Sequence, residues 1–273
     1  MADKEEYNSI HDGPTFDAAV TRASEGGSID AAINAKPNQN LLDNWYFGNP
    51  VNQRNVSGAI DAVGYFLDRW KLVSGSVTIG SNGIILNGTI VQILETAVCA
   101  DVTESALTTE GVVVASYDNN SKTISLTGTG QTFVAAKLEL CSTQTLAHQD
   151  ENGNWQLNEI PDYGEQLRRC QRYFWRSWTG ERNTHNSILG VVFTNNNRIT
   201  GFDYPVEMRT KPSITVYGLT GANKVTEWDS DADYGPASPA YWDTQRCIAL
   251  GCDGAGLSND NRVYYFIEAN AEL

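Results

Sequence analysis

The sequence predicts an all-β protein: two β-sandwich or jelly-roll-like domains joined by a short helix, behind a partly helical N-terminal arm. Three observations predict it. From residue 40 onward, short runs rich in Val, Ile, Thr and aromatic residues recur at close spacing, divided by Gly, Asn and Asp. The stretch YGEQLRRCQRYFWRSW at 163–178 has a helix-start signal and helical spacing, and it separates two such regions. Residues 1–39 are polar and hold one periodic piece, Phe16 to Ala35, broken at Glu25-Gly26-Gly27-Ser28.

The arm, 1–39, cannot build a core. Ala19, Val20, Ile29, Ala32 and Ile33 suit short helices packed on other copies of the chain or on a larger protein, which makes it an attachment arm; a loose terminus is the alternative. The first sandwich, 40–145, opens with LLDNWYFGNPVNQRNVSG and continues through GYFLDRWKLVSG, SVTIGSNGIILNGTIVQILE, ALTTEGVVVASYDNNSKTISLTGTG and QTFVAAKLELCST, each read as strand. In Ser76-Val77-Thr78-Ile79 and Thr123-Ile124-Ser125-Leu126 every second residue is apolar, the pattern of a strand with one face on a core. Ser81-Asn82-Gly83 and Asp118-Asn119-Asn120 are hairpin turns.

Residues 146–178 form the connector and helix. Asp150-Glu151-Asn152-Gly153-Asn154 reads as a hairpin tip. Asp162 with Glu165 has the form of a capping box, and Tyr163, Leu167, Cys170 and Phe174 make an apolar stripe. The distal sandwich, 179–273, turns at Asn195-Asn196-Asn197, opens a strand after Lys211-Pro212, carries a long loop in TEWDSDADYGPASPAYWDTQ, and closes with CIALGCDG and NRVYYFIEANAEL.

Composition narrows the partners. A formal net charge of -14 on 273 residues repels a phosphate backbone, so nucleic acid is not expected. No apolar segment reaches 18 residues, and the first residues lack the apolar run of a signal peptide, so neither membrane insertion nor secretion is expected. The five cysteines, Cys99, Cys141, Cys170, Cys247 and Cys252, are odd in number and lack CxxC spacing, which predicts free thiols and no metal site. No glycine-rich motif has the setting of a nucleotide-binding loop, and no cofactor is expected.

Catalysis finds no constellation. His11, His148 and His185 are scattered, so no catalytic residue is assigned. Glu227, Asp229, Asp231 and Asp233 concentrate acid, but a hydrolase needs two carboxylates facing one bond, and the spacing lacks the glycine and distal glutamate of a calcium loop. Aromatics carry the remaining signal. Sugar C–H faces pack on Trp and Tyr while their hydroxyls seek polar partners, and Trp228, Asp229, Tyr234, Tyr241, Trp242 and Asp243 offer that mixture as a candidate glycan site. The alternative use of Trp228 and Trp242 is as core or subunit-interface residues. Trp175 and Trp178 are expected to fill the space between helix and sheet.

Two groups of residues also carry a resemblance. Asn40-Leu41-Leu42, Asn52-Gln53-Arg54, Gly64-Tyr65-Phe66-Leu67-Asp68-Arg69-Trp70 and Lys137-Leu138-Glu139-Leu140 resemble strands of a jelly-roll in phage and prophage tail proteins. Tyr163-Gly164-Glu165, Cys170-Gln171-Arg172-Tyr173-Phe174, Pro205-Val206-Glu207-Met208-Arg209 with Pro212, and Ala269-Asn270-Ala271-Glu272-Leu273 are similar to the distal part of phage tail-fibre and receptor-binding proteins. Cys141 stands where such proteins commonly have glycine, and Arg168-Arg169 replaces a more usual apolar pair. The resemblance implies a virion protein assembled in the bacterial cytoplasm as a homotrimer, and the lack of a catalytic constellation makes a non-enzymatic one the expectation. Its arm would bind other virion proteins, and its distal domain a host-surface glycan. A virion decoration protein without glycan ligand is the second expectation, and a glycan depolymerase the third.

Overall fold

The computed structural model describes residues 37–98, 101–193, 198–240, 244–252, 257 and 260–273. The arm, apart from its last residues, lies outside them. The first half comprises β1 (Gly58–Ile60), β2 (Gly64–Leu67), β3 (Trp70–Gly80), β4 (Gly83–Ile93), β5 (Thr103–Thr108), β6 (Gly111–Val114), β7 (Ser116–Asp118) and β8 (Thr123–Glu139). They hydrogen-bond in the order β1-β3-β4-β8-β5-β6, with β2 on β3 and β7 on β8. A small hairpin, β9 (Ala147–Gln149) and β10 (Trp155–Leu157), follows and adds Ala147, Trp155 and Leu157 to the same core. The helix α1 (Tyr163–Gln171) then leads into the second half.

That half holds β11 (Phe174–Arg176), β12 (Ile188–Phe193), β13 (Arg198–Asp203), β14 (Ser213–Tyr217), β15 (Val225–Glu227), β16 (Asp233–Tyr234), β17 (Ala237–Ala240), β18 (Cys247–Cys252) and β19 (Arg262–Asn270). The last strand is the hub, because β11, β12, β14 and β15 all pair with it. Its alternation explains the layering: Val263, Tyr265, Ile267 and Ala269 enter one apolar cluster, while Tyr264 and Phe266 enter another with Trp178 on the opposite face. The all-β architecture of two sandwich-like halves and one short helix is therefore the fold.

The long strands of the first half depend on a row of glycines. Gly75, Gly88 and Gly128 stand opposite one another on β3, β4 and β8. A Cβ on Gly88 would sit 2.1 Å from the Ser74 carbonyl oxygen, and its φ of +144 is already outside the range of L side chains. Around this row the core-facing parity switches. Ile124 and Leu126 are buried before it on β8 and Phe133 and Ala135 after it, with a register shift between Leu86 and Asn87 on β4. One strand thus supplies the core from two directions. Gly88→Ala is expected to cost about 2–4 kcal/mol in urea denaturation, whereas Gly221→Ala, whose methyl meets nothing within 4 Å, stays within about 0.5 kcal/mol.

Three local readings need correction. GYFLDRWKLVSG is a hairpin, β2 and β3, whose two-residue turn is Asp68-Arg69 with Arg69 at φ +70. Buried contacts hold a conformation that neither residue advertises. The segment 226–245, read as loop, contains β16, β17 and the last two residues of β15; these strands have only two to four residues, and Pro239 lies on the edge strand β17, where its missing N–H is tolerated. In α1, Asp162 accepts from the Glu165 backbone N–H at 2.8 Å as predicted, but Tyr163 is 44% exposed and Leu167 half-buried. Cys170 and Phe174 of the stripe are buried as predicted, but so is Gln166, whose side-chain amide oxygen accepts from the Asn44 N–H at 2.6 Å. A polar residue therefore shares the buried face with Cys170, and apolar spacing located only part of that face.

The other turns fall where the sequence puts them. Ser81-Asn82 joins β3 to β4, β7 and β8 flank Asn119–Lys122, and β9 and β10 flank the 150–154 tip. β12 and β13 pair antiparallel on either side of residues 194–197, and the turn expected at Asn195-Asn196-Asn197 lies outside the described residues. Of the described cysteines, Cys170 is a buried free thiol, Cys141 and Cys247 are free and half-buried, and Cys252 is buried.

The two halves are joined by a buried polar junction. Glu272 accepts from Arg69 Nη1 at 2.9 Å and from Arg54 Nη2 at 3.0 Å, and Arg69 Nε donates to Asp43 at 3.2 Å. The Arg69 guanidinium lies 3.5 Å from the Tyr173 ring centroid, and that of Arg54 lies 3.8 Å from the Phe174 ring. Gln53 Nε2 bridges Asp68 and the Phe174 carbonyl, Arg176 donates to the carbonyls of Gln53 and Arg54, and Tyr65 donates to the Leu273 carbonyl at 2.6 Å. Burial, with Glu272 adding to it, pushes the Tyr65 phenol up to about 12.

Candidate functional site

The glycan site expected from sequence is split by the fold. Trp228, next to β15, is 42% exposed and braced edge-on by Tyr264 at 6.0 Å between ring centroids. Asp229 beside it forms an exposed ion pair with Arg262 at 3.0 Å, and the Arg262 guanidinium lies 5.8 Å from the Trp228 ring. Tyr234 turns the other way: it packs half-buried on the inner cluster, whereas Tyr264 belongs to the outer one. Tyr241, Trp242 and Asp243 lie outside the described residues. The structure brings together Trp228 and Asp229 and separates Tyr234 from them.

The acids of this region are occupied structurally. Glu227 accepts from Ser230 and Asn261, Asp231 accepts from the Tyr264 hydroxyl at 2.7 Å, and Asp233 accepts from the hydroxyls of Thr220 and Thr226. Partial burial works to raise the Asp233 carboxyl, but the two threonine hydroxyls outweigh it and its pKa lies below the ordinary value. Among the described residues no group of three or more His, Cys, Asp or Glu is placed to hold a metal ion.

Trp175 and Trp178 lie against the distal sheet. Trp175 packs with Phe202 and Tyr204, and Trp178 is buried against Tyr217 and Phe266. Arg176 and Arg182 stack over these rings, Arg176 4.0 Å from Trp178 and Arg182 4.6 Å from Tyr217.

A second aromatic–polar site is better formed, and it lies in the first half. A cavity of about 630 Å³ opens between the β9–β10 hairpin and the sheet, with Tyr46, Glu110, Gln149, Asn154, Trp155 and Gln156 among its lining residues. Local chemistry sets each wall. Tyr46 bridges Ala135 of β8, and the neighbouring Phe47 N–H donates to the Val134 carbonyl at 2.8 Å, so the ring is carried on a strand-like segment. Trp155 faces Gln149 across the hairpin. Its indole lies against Gly111, where a Cβ would come within 2.9 Å of Nε1 and φ is +143. Thr108 pins that turn: its hydroxyl donates to the Gly111 carbonyl at 2.9 Å and accepts from the Gly111 N–H at 3.2 Å.

The hairpin tip is equally tied down. Asp150 accepts from the N–H groups of Asn152 and Asn154, and the Asn154 N–H is the main cause of an Asp150 carboxyl held below its ordinary pKa. Two half-buried rings with amide side chains around them are a surface for sugar C–H faces and hydroxyls. Glu110 is the one carboxylate among the residues lining the cavity, which leaves the pair required for glycoside hydrolysis incomplete there.

The sequence did contain a signal for this site: Trp155 is an aromatic residue set in the polar run DENGNWQLNE. Tyr46 was hidden among Trp45 and Phe47, both of which are core. Nothing in their spacing, 109 residues apart, announces that they meet. No family model, curated protein or solved structure matches the chain.

Proposed function

We propose that this protein is a non-catalytic saccharide-binding component of a phage or prophage virion, tail-fibre-like, with the Tyr46–Trp155 cleft as its sugar platform. The cleft is the observation that carries the saccharide reading: two partly exposed aromatic rings, a rim of amide side chains and a single carboxylate. The virion assignment rests on the resemblance of the strand motifs and of the terminal Ala269–Leu273 segment to tail proteins. As a homotrimer the protein would present three clefts, and multivalent attachment to a repeating surface glycan would raise a weak single-site affinity without new contacts.

Trp228 fits a contact between copies in this scheme. Leu189 and Val191 of β12 stand opposite Tyr264 and Arg262 on β19, so exposed Leu189, Val191 and Trp228 form an apolar strip on one face of the distal sheet. Sedimentation at micromolar concentration showing monomer alone overturns the trimer.

The saccharide reading is tested by titrating the full chain with neutral oligosaccharides of bacterial surface glycans. Trp155→Ala is expected to weaken binding about tenfold or more by removing one ring of the platform. A glycan array blank for the wild-type protein favours the second reading, a virion structural protein with no sugar ligand. Release of reducing ends from host polysaccharide would establish the depolymerase instead.

A further inference from the structure

We infer that the groove between α1 and the 206–209 segment is a second ligand site, one that takes the carboxylate or sulfate groups of an acidic saccharide. The inference rests on the saccharide reading and specifies a charged ligand class at a place remote from Tyr46 and Trp155. The groove has a volume of about 510 Å³, and Arg168, Arg169, Arg172 and Arg209 line it against Glu165 and Glu207. Arg169 and Arg172 also line a separate cavity of about 240 Å³ together with Arg69, Tyr173, Asp43 and Glu95. In a chain of net charge -14 the groove gathers a third of the twelve arginines on one concave surface.

The walls are fixed. The Arg209 N–H donates to the Arg172 carbonyl at 2.7 Å, which fastens the end of α1 to the facing segment. Arg209 Nε donates to the Ala271 carbonyl at 3.1 Å, and its terminal nitrogens have no partner among the described residues. Arg168 holds only Glu165, in an ion pair whose side chains are 66% and 53% exposed. Such pairs exchange readily for a better acceptor. Arg169 and Arg172 are tethered to Asp43 at 2.7 Å and Glu95 at 3.3 Å, so their charge is retained while their positions are set. Buried Met208 and half-buried Val206 supply an apolar floor between the two arginine walls. Planar guanidinium forks on facing walls match carboxylate and sulfate geometry, and an apolar floor suits the ring between them.

Calorimetry on the full chain with an oligouronide, a neutral oligosaccharide of equal length and inorganic sulfate tests this. The oligouronide is expected to bind more tightly than the neutral oligomer and to lose about tenfold or more in affinity when salt is raised from ~50 to ~500 mM. Arg168→Glu and the Arg168→Ala, Arg209→Ala double variant should each weaken it about tenfold or more, with neutral binding unchanged. Arg168 is exposed, so Arg168→Glu reads binding even where Arg209→Ala perturbs folding. Absent or salt-independent oligouronide binding, or unchanged affinity in Arg168→Glu, overturns the site, and binding of sulfate alone overturns its assignment to a saccharide. Trp155→Ala that abolishes neutral binding and spares the oligouronide separates the two sites; arginine-dependent oligouronide binding with no neutral binding at all removes the cleft and keeps the groove.

Discussion

Glu272→Ala is expected to destabilise the protein by about 3–5 kcal/mol, because it breaks a buried ion pair and leaves its partners charged. The Glu272 side chain is 3% exposed and that of Arg69 1%, and the same carboxylate also holds Arg54. With Glu272 gone, Arg69 keeps Asp43, the Ile93 carbonyl and the Tyr173 ring, but the charge balance of the junction is lost. Both strands of the β2–β3 hairpin feel this, since the Arg69 N–H also donates to Glu272 at 3.2 Å and helps to hold the left-handed turn. Urea denaturation followed by tryptophan fluorescence measures the loss. Wild type and variant should each unfold in one transition, the variant's at lower urea. Arg168→Ala, which removes an exposed pair, should change stability by less than about 1 kcal/mol. Equal midpoints for Glu272→Ala and wild type would mean that the junction contributes nothing to stability.

The sequence displayed some of this junction and concealed the rest. Its helix was legible through Asp162, Glu165 and the periodicity after them, and the strands through their alternation, because both signals are local. The face of the helix was legible only in part: Cys170 is buried as its spacing requires, but Gln166 is buried by a hydrogen bond to Asn44, a residue 122 positions away. Nothing local marks Arg69 and Glu272 as buried, for the same reason: burial of a charge is decided by a partner, and these partners lie 203 positions apart. The candidate site divides along the same line. Trp228 and Asp229 are neighbours in sequence and stay together, while Tyr234 faces the opposite side because one more strand pairing, Val225 with Tyr234, aligns it with the inner cluster. Trp155 and Tyr46 become one cleft only through the packing of a short hairpin on a long strand. Local chemistry is read from neighbours; a site assembled across the chain requires the fold.

Asp68 gives the junction a pH dependence of predictable sign. Its carboxyl is almost wholly buried, and desolvation pushes its pKa up to about 7 against the opposing effects of the Arg54 charge and the hydrogen bonds from Gln53; the Glu272 charge adds to the rise. Tyr163 and Cys170 lie close enough to feel its charge. In the unfolded chain the group titrates near 3.9, so over the interval between the two values the folded protein holds a proton that the unfolded chain has lost. Stability from this group is fully present below pH ~4 and is lost as pH rises through about 7, at up to about 1.4 kcal/mol per pH unit. Between pH 5 and 8 the loss should total roughly 3 kcal/mol. Asp118, Asp150 and Asp233, held below their ordinary values, act in the opposite sense and only at lower pH. Asp68→Asn keeps the shape and one acceptor for the Gln53 N–H, and removes the titration. The difference in unfolding free energy between wild type and Asp68→Asn, measured at intervals from pH 5 to 8, should therefore fall steadily with rising pH and level off above 7. Parallel pH profiles for the two proteins would show that Asp68 is charged throughout, and that the Arg54 charge and the Gln53 hydrogen bonds outweigh its burial.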